Sequence, residues 1–434
     1  MQAFRGSLVD FVDDPHALGD SACRFIEDGI LLVRDGRVEK RGPARELLAQ
    51  LAPDTPLTDY SGKLILPGFI DTHIHYAQTD MIASYGEQLL SWLENYTFPT
   101  ERAFEEPAHA REVAGFFVQE LLRNGTTTAM VFATVHRSSV DAIFEAAAAQ
   151  DLCLIAGKVM MDRNCPPFLR DTPESSYEDC SALIERWHGA GRLHYAVTPR
   201  FAPTSTEAQL KMAERLLDEH PGVFFQSHVA ENPQEVRWVA ELFPWSRSYL
   251  DVYDRFRMLR ERAVFAHCIH LDARDRERLA ASGAAASFCA TSNLFLGSGL
   301  FDPQRAAEVG MRVGIGTDVG AGTSFSMLRT LDESYKVAQM GGHRLSPLRA
   351  FYLATLGGAR ALYLDATIGN FEPGKHADFV VLDPAATPLL ERRMARTAAL
   401  ADRLFLLMTL GDDRVVAATH VAGRAAHVRS ALAA

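Results

Sequence analysis

Two histidines that stand two residues apart follow an apolar run early in the chain. The run at 64–66 leads into a short segment that ends with His73 and His75. Side chains alternate between faces on an extended strand, so both imidazoles point to the same side. Imidazoles directed at one point are suited to binding zinc or a similar metal. The pair alone fits equally well a strand with two polar-face histidines, so residues downstream must decide.

Three later apolar runs also end in residues that bind metals. These residues are His228, His267 and Asp318. A lone buried histidine usually has a structural role, but four histidines and one aspartate at equivalent strand ends are hard to explain in that way. Three imidazoles and a carboxylate suit Zn²⁺ or Fe²⁺ and leave a position for water. The predicted ligands are His73, His75, His228 and Asp318.

The predicted metal site is accompanied by groups that can move protons. A metal lowers the pKa of its bound water towards neutrality, which yields a hydroxide nucleophile. Asp318 can bind the metal through one oxygen and take the water proton with the other. His267 is either a further ligand or the residue that orients the water, and we favour the second role. Glu231, three residues beyond His228, can protonate a heterocyclic nitrogen, although by itself it would be interpreted as a helix-start carboxylate.

The elements that must position these residues alternate between short apolar strands and helical segments. This alternation favours a parallel sheet built from βα units. Eight strands over about 250 residues fit an α/β fold of the (β/α)₈ TIM-barrel type, whose chemistry gathers at the C-terminal ends of the strands. The predicted strands are 64–75, 127–134, 152–159, 193–200, 223–230, 263–268, 284–290 and 312–318.

Both ends of the chain differ from this middle part. They consist of short β-like runs with turns, for example at Asp35-Gly36 and at Gly423. We therefore predict a small β-sandwich domain assembled from residues 1–66 plus 370–434, and a barrel domain over residues 67–369.

The bulk composition restricts the partners and the location. Among 434 residues, 44 Lys and Arg face 55 Asp and Glu, for a net charge of −11. This sign argues against nucleic acid as the main partner. No stretch has the apolar length of a membrane span, and the start of the chain lacks a signal core, so we expect a cytoplasmic protein without a membrane partner. The six cysteines form no C-x-x-C pair, and Cys289 is interpreted as a small buried apolar residue.

The motifs at the strand ends resemble the amidohydrolase superfamily, in its mononuclear-metal deaminase branch. They are the segments 67–75, 227–231, 266–268 and 316–318. Further segments are similar to the guanine deaminase family, especially its bacterial members. These segments are Gln78, 90–99, 161–164, 197–201, 292–299 and 410–414. Ala77 and the loop at 288–293 lack prolines that are common in the family, which affects loop stiffness more than chemistry.

The resemblance implies roles for particular residues. The metal ligands would be those named above, Glu231 would shuttle the proton, and His267 would orient the water. Arg200 offers a rigid donor fork to a purine O6 and N7, while the carboxamide of Gln78 can both donate and accept. Phe201 or Trp92 could stack on the ring. The expected substrate-binding residues are Gln78, Trp92, Arg200, Phe201, His228 and Glu231, and the expected catalytic residues are Glu231, His267 and Asp318.

The activity implied by the resemblance is hydrolytic deamination of guanine to xanthine and ammonia, by a homodimer with one Zn²⁺ (or Fe²⁺) per subunit. One alternative is a related deaminase that acts on a pterin, a triazine or another purine. A binuclear hydrolase is disfavoured because residues 197–200 contain no bridging lysine, and the cytidine-deaminase cysteine motif is absent. A catalytically inactive barrel scaffold is the alternative from outside the enzymes.

Overall fold

The computed structural model describes residues 1–85 and 88–430. Within these ranges the chain forms sixteen strands, numbered here in chain order. They are β1 Gln2–Phe11, β2 Cys23–Arg34, β3 Arg37–Pro43, β4 Leu57–Pro67, β5 Phe69–His75, β6 Thr126–Phe132, β7 Cys153–Gly157, β8 Val159–Met160, β9 Leu193–Pro199, β10 Phe224–Val229, β11 Ala263–His267, β12 Ala285–Phe288, β13 Arg312–Ile315, β14 Phe379–Leu382, β15 Val416–Val421 and β16 Arg424–Val428.

The helices of the described ranges are mostly short. The α-helices are α1 Pro15–Leu18, α2 Ala44–Leu47, α3 Leu89–Trp92, α4 Phe98–Arg102, α5 Pro107–Arg123, α6 Arg137–Ala149, α7 Pro173–Trp187, α8 Glu207–Glu219, α9 Pro233–Leu242, α10 Tyr249–Arg255, α11 Ala273–Ser282, α12 Ala290–Phe295, α13 Pro303–Glu308, α14 Met327–Met340, α15 Pro347–Tyr352, α16 Gly358–Ala361, α17 Pro388–Met394 and α18 Leu400–Leu410. Wider π-helical turns, Leu93–Thr97 and Leu353–Gly357, join α3 to α4 and α15 to α16. Among the described helices, none has the length and apolar character needed to cross a bilayer.

Eight parallel strands form the barrel that the sequence predicts. Their order in the sheet is β5-β6-β7-β9-β10-β11-β12-β13, and β8 pairs with the end of β9. Helices follow these strands in the chain, as a (β/α)₈ fold requires. The predicted fold class is therefore confirmed, and all eight predicted strands end within three residues of the observed ones.

The first predicted strand, 64–75, is wrong in one respect, because it spans two strands of different sheets. β4 ends at Pro67 and belongs to the sheet of the termini, whereas β5 begins at Phe69. Between them, the Gly68 N–H donates to the carbonyl oxygen of Asp378. A Cβ at Gly68 would lie 2.1 Å from Oγ1 of Thr127, so only glycine allows this close crossing. The continuous apolar run hides the break because both strands are buried.

Hydrogen bonds close the barrel beside the predicted site. The N–H of Asp318, just beyond β13, donates to the carbonyl oxygen of His73 over 2.9 Å. The N–H of His75 donates in turn to the carbonyl oxygen of Val319, also over 2.9 Å. The first and last strands of the barrel are thus fixed to each other at the residues that are to act together.

A layer of apolar side chains fills the barrel beneath the site. Seven of the eight barrel strands contribute one residue each, and α16 adds Ala359 and Ala361. The strand residues are Ile70, Met130, Ile155, Ala196, Phe224, Val264 and Ala285. Because this layer is apolar and buried, polar chemistry is confined to the C-terminal ends of the strands.

The two termini build one mixed sheet of seven strands. Its order is β16-β15-β14-β4-β1-β2-β3, with β1 and β4 parallel and the other pairs antiparallel. A buried ion pair joins this sheet to the barrel, since Nη1 of Arg192 donates to Oδ1 of Asp378 over 3.0 Å. The side chains of both residues are almost completely buried.

Candidate active site

The predicted metal ligands converge at the C-terminal end of the barrel. His73 and His75 lie on β5, His228 lies on β10, and Asp318 follows β13 by three residues. The Nε2 atom of His75 lies 3.3 Å from that of His73 and 3.2 Å from that of His228. Oδ1 of Asp318 lies 3.2 Å from His73 Nε2 and 3.4 Å from His75 Nε2. The structure therefore brings all four predicted ligands to one point.

The chemistry of these donors fits a divalent metal ion. Nδ1 of His228 lies 2.6 Å from the carbonyl oxygen of Arg200, so Nδ1 carries the proton and Nε2 presents its lone pair to the cluster. Burial lowers the pKa of His75 to about 3, and burial together with the neighbouring histidines lowers the pKa of His228 well below its ordinary value. Neutral imidazoles whose lone pairs meet beside a carboxylate repel one another unless a cation lies between them.

Asp318 remains a carboxylate in this setting. Burial alone would raise its pKa, but His73 and His75 lower the pKa of Asp318 well below its ordinary range. Its backbone φ of 53° lies in the left-handed region, which a residue other than glycine adopts at an energetic cost. His267 has a φ of 71°, so two predicted site residues are held in costly conformations by the surrounding packing.

His267 lies at the end of β11 between the predicted metal ligands and Glu231. Its Nδ1 contacts Oδ1 of Asn293 over 2.8 Å, which places the proton on Nδ1 and leaves Nε2 facing the cluster. That Nε2 lies 3.4 Å from Oε2 of Glu231 and 3.9 Å from Oδ2 of Asp318. One ligand atom each of His73, His228 and His267 also lie within 4.8 Å of one another. The position therefore fits both roles considered for His267, ligation and orientation of water.

Glu231 is a buried carboxyl group that favours its protonated form. Burial first, and then the negative charge of Asp318, raise the pKa of Glu231 to about 8. Ser298 Oγ donates to its Oε1 over 3.0 Å. Asn232 caps the start of the following helix, α9. The backbone N–H groups of Glu231 and Asn232 both donate to Oε2 of Glu235. Glu231 is therefore not the capping carboxylate, and its side chain is free to serve the cavity.

A cavity of about 410 Å³, including the space open to solvent, lies above the ligands. Apart from His73, every residue predicted for the site lines it. The lining consists of His75, Gln78, Leu89, Trp92, Leu93, Arg200, Phe201, His228, Glu231, Glu235, His267, Leu296, Asp318 and Ala321.

The indole of Trp92 forms part of the cavity wall and carries a buried N–H donor without a partner among the described residues. Its Nε1–H is buried and finds no acceptor within the described ranges. A buried donor without a partner is costly, so a ligand acceptor in the cavity would relieve it. The sequence indicates a stacking role for this residue, whereas the structure also offers a hydrogen bond.

Arg200 and Gln78 share a partner that sequence reasoning missed. Nη1 of Arg200 donates to both carboxylate oxygens of Glu101, each over 2.9 Å. Nε2 of Gln78 donates to Oε1 of Glu101 over 3.3 Å, and Oε1 of Gln78 accepts from the Gly320 N–H over 3.4 Å. Glu101 itself lies on α4 and is completely buried. All three side chains are therefore fixed before any ligand binds.

Other residues that support the site also went unpredicted. Asn293 and Ser298 lie in the 292–299 segment that carried the resemblance, but the pattern gave them no roles. The ring of Phe132 contacts the imidazole rings of three predicted ligands, with a centroid distance of 4.7 Å to His75. Cys289 is buried as expected, but its Sγ also lies within 4.8 Å of ligand atoms of His73 and Asp318. Burial raises the pKa of its thiol well above the ordinary value, so it is uncharged.

Comparison with known proteins gives concordant results. The model of the Amidohydrolase family matches residues 64–426. The chain is 53% identical to guanine deaminase of Escherichia coli (strain K12) over 433 residues, which cover 99% of this chain and 98% of that protein. The solved structure of the E. coli guanine deaminase superposes with a TM-score of 0.97 and covers 99% of this chain and 100% of that one. A guanine deaminase from C. acetobutylicum, solved with bound guanine in the active site, is 27% identical with a TM-score of 0.88, covering 98% and 99% of the two chains.

Proposed function

This chain belongs to the amidohydrolase family, and on that premise we propose that it catalyses the hydrolytic deamination of guanine to xanthine and ammonia. The observation that carries the proposal is that one cavity contains both a cluster of metal-binding donors and a group of residues suited to bind a purine. A cluster of three imidazoles and a carboxylate lies below a neutral carboxyl group, Glu231, and the fixed cation of Arg200 lines the same space. The E. coli relative, similar over the full length, bears the name of this activity.

His73, His75, His228 and Asp318 are the residues that would hold the metal, and we propose Zn²⁺, with Fe²⁺ as the alternative. Three nitrogens and one carboxylate oxygen suit both ions. When bound, such an ion supplies a water of lowered pKa, and therefore a nucleophile at neutral pH. Quantifying zinc and iron in the purified protein distinguishes the two metals.

Proton movements fall to three residues of the chain. Glu231, protonated at neutral pH, donates to the N3 atom of guanine while the attacking water forms its bond to C2. Asp318, held as a carboxylate, accepts the proton of that water. His267 accepts a hydrogen bond from the water at Nε2, because its Nδ1–H is committed to Asn293. The proton that Asp318 has taken from the water passes to the leaving amine, the C2–N bond breaks, and Glu231 takes back the remaining hydroxyl proton, so ammonia departs, the C2 carbonyl of xanthine forms and both carboxyl groups return to their starting states.

Binding of the purine is assigned to other residues of the cavity lining. Arg200 and Gln78 would contact the edge that carries O6, while Phe201 and Trp92 border the ring. Leu89 and Leu296 add apolar lining to the same cavity. Guanine bound in the active site of the C. acetobutylicum relative supports a purine ligand for this cavity.

The test is a substrate panel. Ammonia release is measured with guanine, adenine, a pterin and a triazine, and metal is quantified in the same preparations. The proposal requires guanine to have the highest kcat/KM. A higher value for another heterocycle would establish the alternative deaminase, and no ammonia from any of them in metal-loaded protein would establish the inactive scaffold.

A cytoplasmic homodimer is also part of the proposal. Its support is the resemblance to guanine deaminases rather than any contact in the structure. Analytical ultracentrifugation and cell fractionation test the two statements separately.

A further inference from the structure

We infer that Glu101 is the positioning residue that makes the purine-binding wall of this cavity selective for a 6-oxo ring, an inference that rests on the proposed function. Glu101 lies on α4, outside the barrel strands, and does not line the cavity. It nevertheless contacts both polar residues that are assigned to the O6 edge of the purine. Its role is therefore exerted through Arg200 and Gln78.

The first effect of Glu101 is to fix the guanidinium group of Arg200. Both oxygens of Glu101 accept from the same nitrogen, Nη1. Within the described ranges no acceptor contacts Nε or Nη2 of Arg200, so those donors remain for a ligand. The ring of Phe98, one helical turn before Glu101, lies 5.6 Å from the guanidinium carbon. A buried cation needs this counter-charge, because without it the free-energy cost of desolvation is not offset.

The second effect of Glu101 is to fix the orientation of the Gln78 carboxamide. The carboxylate can only accept, so it selects the NH₂ group of Gln78. The carbonyl oxygen of Gln78 then accepts from the Gly320 N–H on the other side. A Cβ at Gly320 would lie 2.9 Å from the Gln78 Cβ, so the backbone approaches this side chain as closely as glycine allows. Gln78 is thereby fixed as a donor, whereas a free carboxamide could both donate and accept.

Together these contacts leave a wall of hydrogen-bond donors. A 6-oxo purine presents two acceptors along this edge, O6 and N7, and both can be satisfied. A 6-amino purine presents its own donor at position 6, which would meet the donors of Arg200 and Gln78. Sites with fixed polar groups discriminate strongly against ligands that leave those groups unpaired. Glu101 thus determines which ring substituent is accepted without touching the ring.

The experiment compares two competitive inhibitors of guanine deamination that lack the reacting 2-amino group, hypoxanthine and adenine. In the wild-type holoenzyme hypoxanthine is expected to bind more tightly. In Glu101→Ala the ratio of the two inhibition constants is expected to fall at least tenfold, mainly through weaker hypoxanthine binding. KM for guanine should rise by about 10- to 100-fold, the range for hydrogen bonds to charged groups, with kcat changed by only a few fold.

Glu101→Gln serves as the second variant, because it retains the volume of the side chain. It removes the charge and replaces one of the two accepting oxygens by an NH₂ group, so the inhibitor ratio should fall in the same direction. Asp378→Asn is the matched control, since it alters a buried ion pair that lies away from the cavity. Its inhibitor ratio is expected to equal that of the wild type. Metal content and circular dichroism identify any variant that fails to fold.

The outcomes separate this inference from the proposed function. Failure of the wild-type protein to release ammonia from guanine would refute the function, whatever the variants do. Normal wild-type activity combined with an unchanged hypoxanthine-to-adenine ratio in folded Glu101→Gln would refute the role of Glu101. A double variant provides a further check, because Glu101→Ala should have a clearly smaller effect on KM when Arg200 is already Gln, the remaining effect being exerted through Gln78.

Discussion

Replacing Glu231 by glutamine removes its acidic proton but retains the shape of the side chain. Gln has the same shape, and its carbonyl oxygen can still accept from Ser298, which now contacts Oε1 of Glu231 over 3.0 Å. It cannot release a proton to a ring nitrogen. Loss of a positioned general acid lowers rates by about 10²- to 10⁴-fold. We therefore expect kcat for guanine to fall by about that factor while the metal content is unchanged.

The same substitution should lower the activity but raise the stability at high pH. The size of the stability change follows from the pKa of Glu231. Burial raises the pKa of Glu231 from 4.5 to about 8. The stabilisation that accompanies a raised pKa is complete below the unfolded value and is lost as pH rises through the folded value. The wild-type protein therefore loses stability between about pH 4.5 and pH 8, whereas the glutamine variant has no such loss. At about 1.4 kcal/mol per pH unit, the difference that develops from pH 6 to pH 8 is on the order of 3 kcal/mol.

Two measurements test this reasoning. Ammonia release from guanine measures kcat, and urea unfolding of the metal-free proteins at pH 6 and pH 8 measures the free energy of unfolding. The variant should gain stability relative to the wild type at the higher pH. Turnover within tenfold of the wild type would contradict the acid role. A stability difference that does not change with pH would show that Glu231 is not held in its protonated form.

Three further predictions concern the surroundings of the site. Removing the metal with a chelator should reduce ammonia release to below about 1%, and one equivalent of Zn²⁺ per chain should restore it, as titration of metal against activity will show. Asn293→Ala should lower kcat by about 10- to 100-fold with little change in KM, because His267 loses the acceptor that fixes its Nδ1 proton. Steady-state kinetics will show whether kcat falls while KM stays nearly constant. Asp378→Asn should reduce the free energy of unfolding by about 3–5 kcal/mol, because the cation of Arg192 is left buried without its charged partner. The same variant should leave kcat/KM at 25 °C unchanged. Denaturation measures the first quantity and activity assays measure the second.

The fold and the metal donors could be predicted from the sequence because their signals are local. Alternation along a strand is enough to place His73 and His75 on one face, and each later ligand follows its own apolar run. The barrel follows from the number and spacing of those runs. The donor atoms of His73, His75 and His228 lie within 3.3 Å of their neighbours, as this pattern predicts, and their role as metal ligands stays a prediction.

The supporting residues could not be predicted because their partners lie far away in sequence. Glu101 stands 99 residues from Arg200, in a helix whose neighbouring Arg102 and Glu105 give it the appearance of a solvated face. A buried arginine requires a counter-charge, but the sequence does not indicate which carboxylate provides it. The break at Gly68 was hidden for a related reason, since apolar residues on both sides conceal a change of sheet.

The direct passage from β4 to β5 has a consequence for the order of events during synthesis. β4 pairs with β14, so Leu64 contacts Leu382, a residue that leaves the ribosome more than 300 residues later. Until then the strand that precedes His73 has one edge without its final neighbour, and the barrel cannot close before Asp318 has also been made. Such long-range pairing slows folding and exposes strand edges. We therefore expect the nascent chain to need protection from aggregation until Leu382 has emerged, and its predicted metal site to form only after Asp318 has emerged.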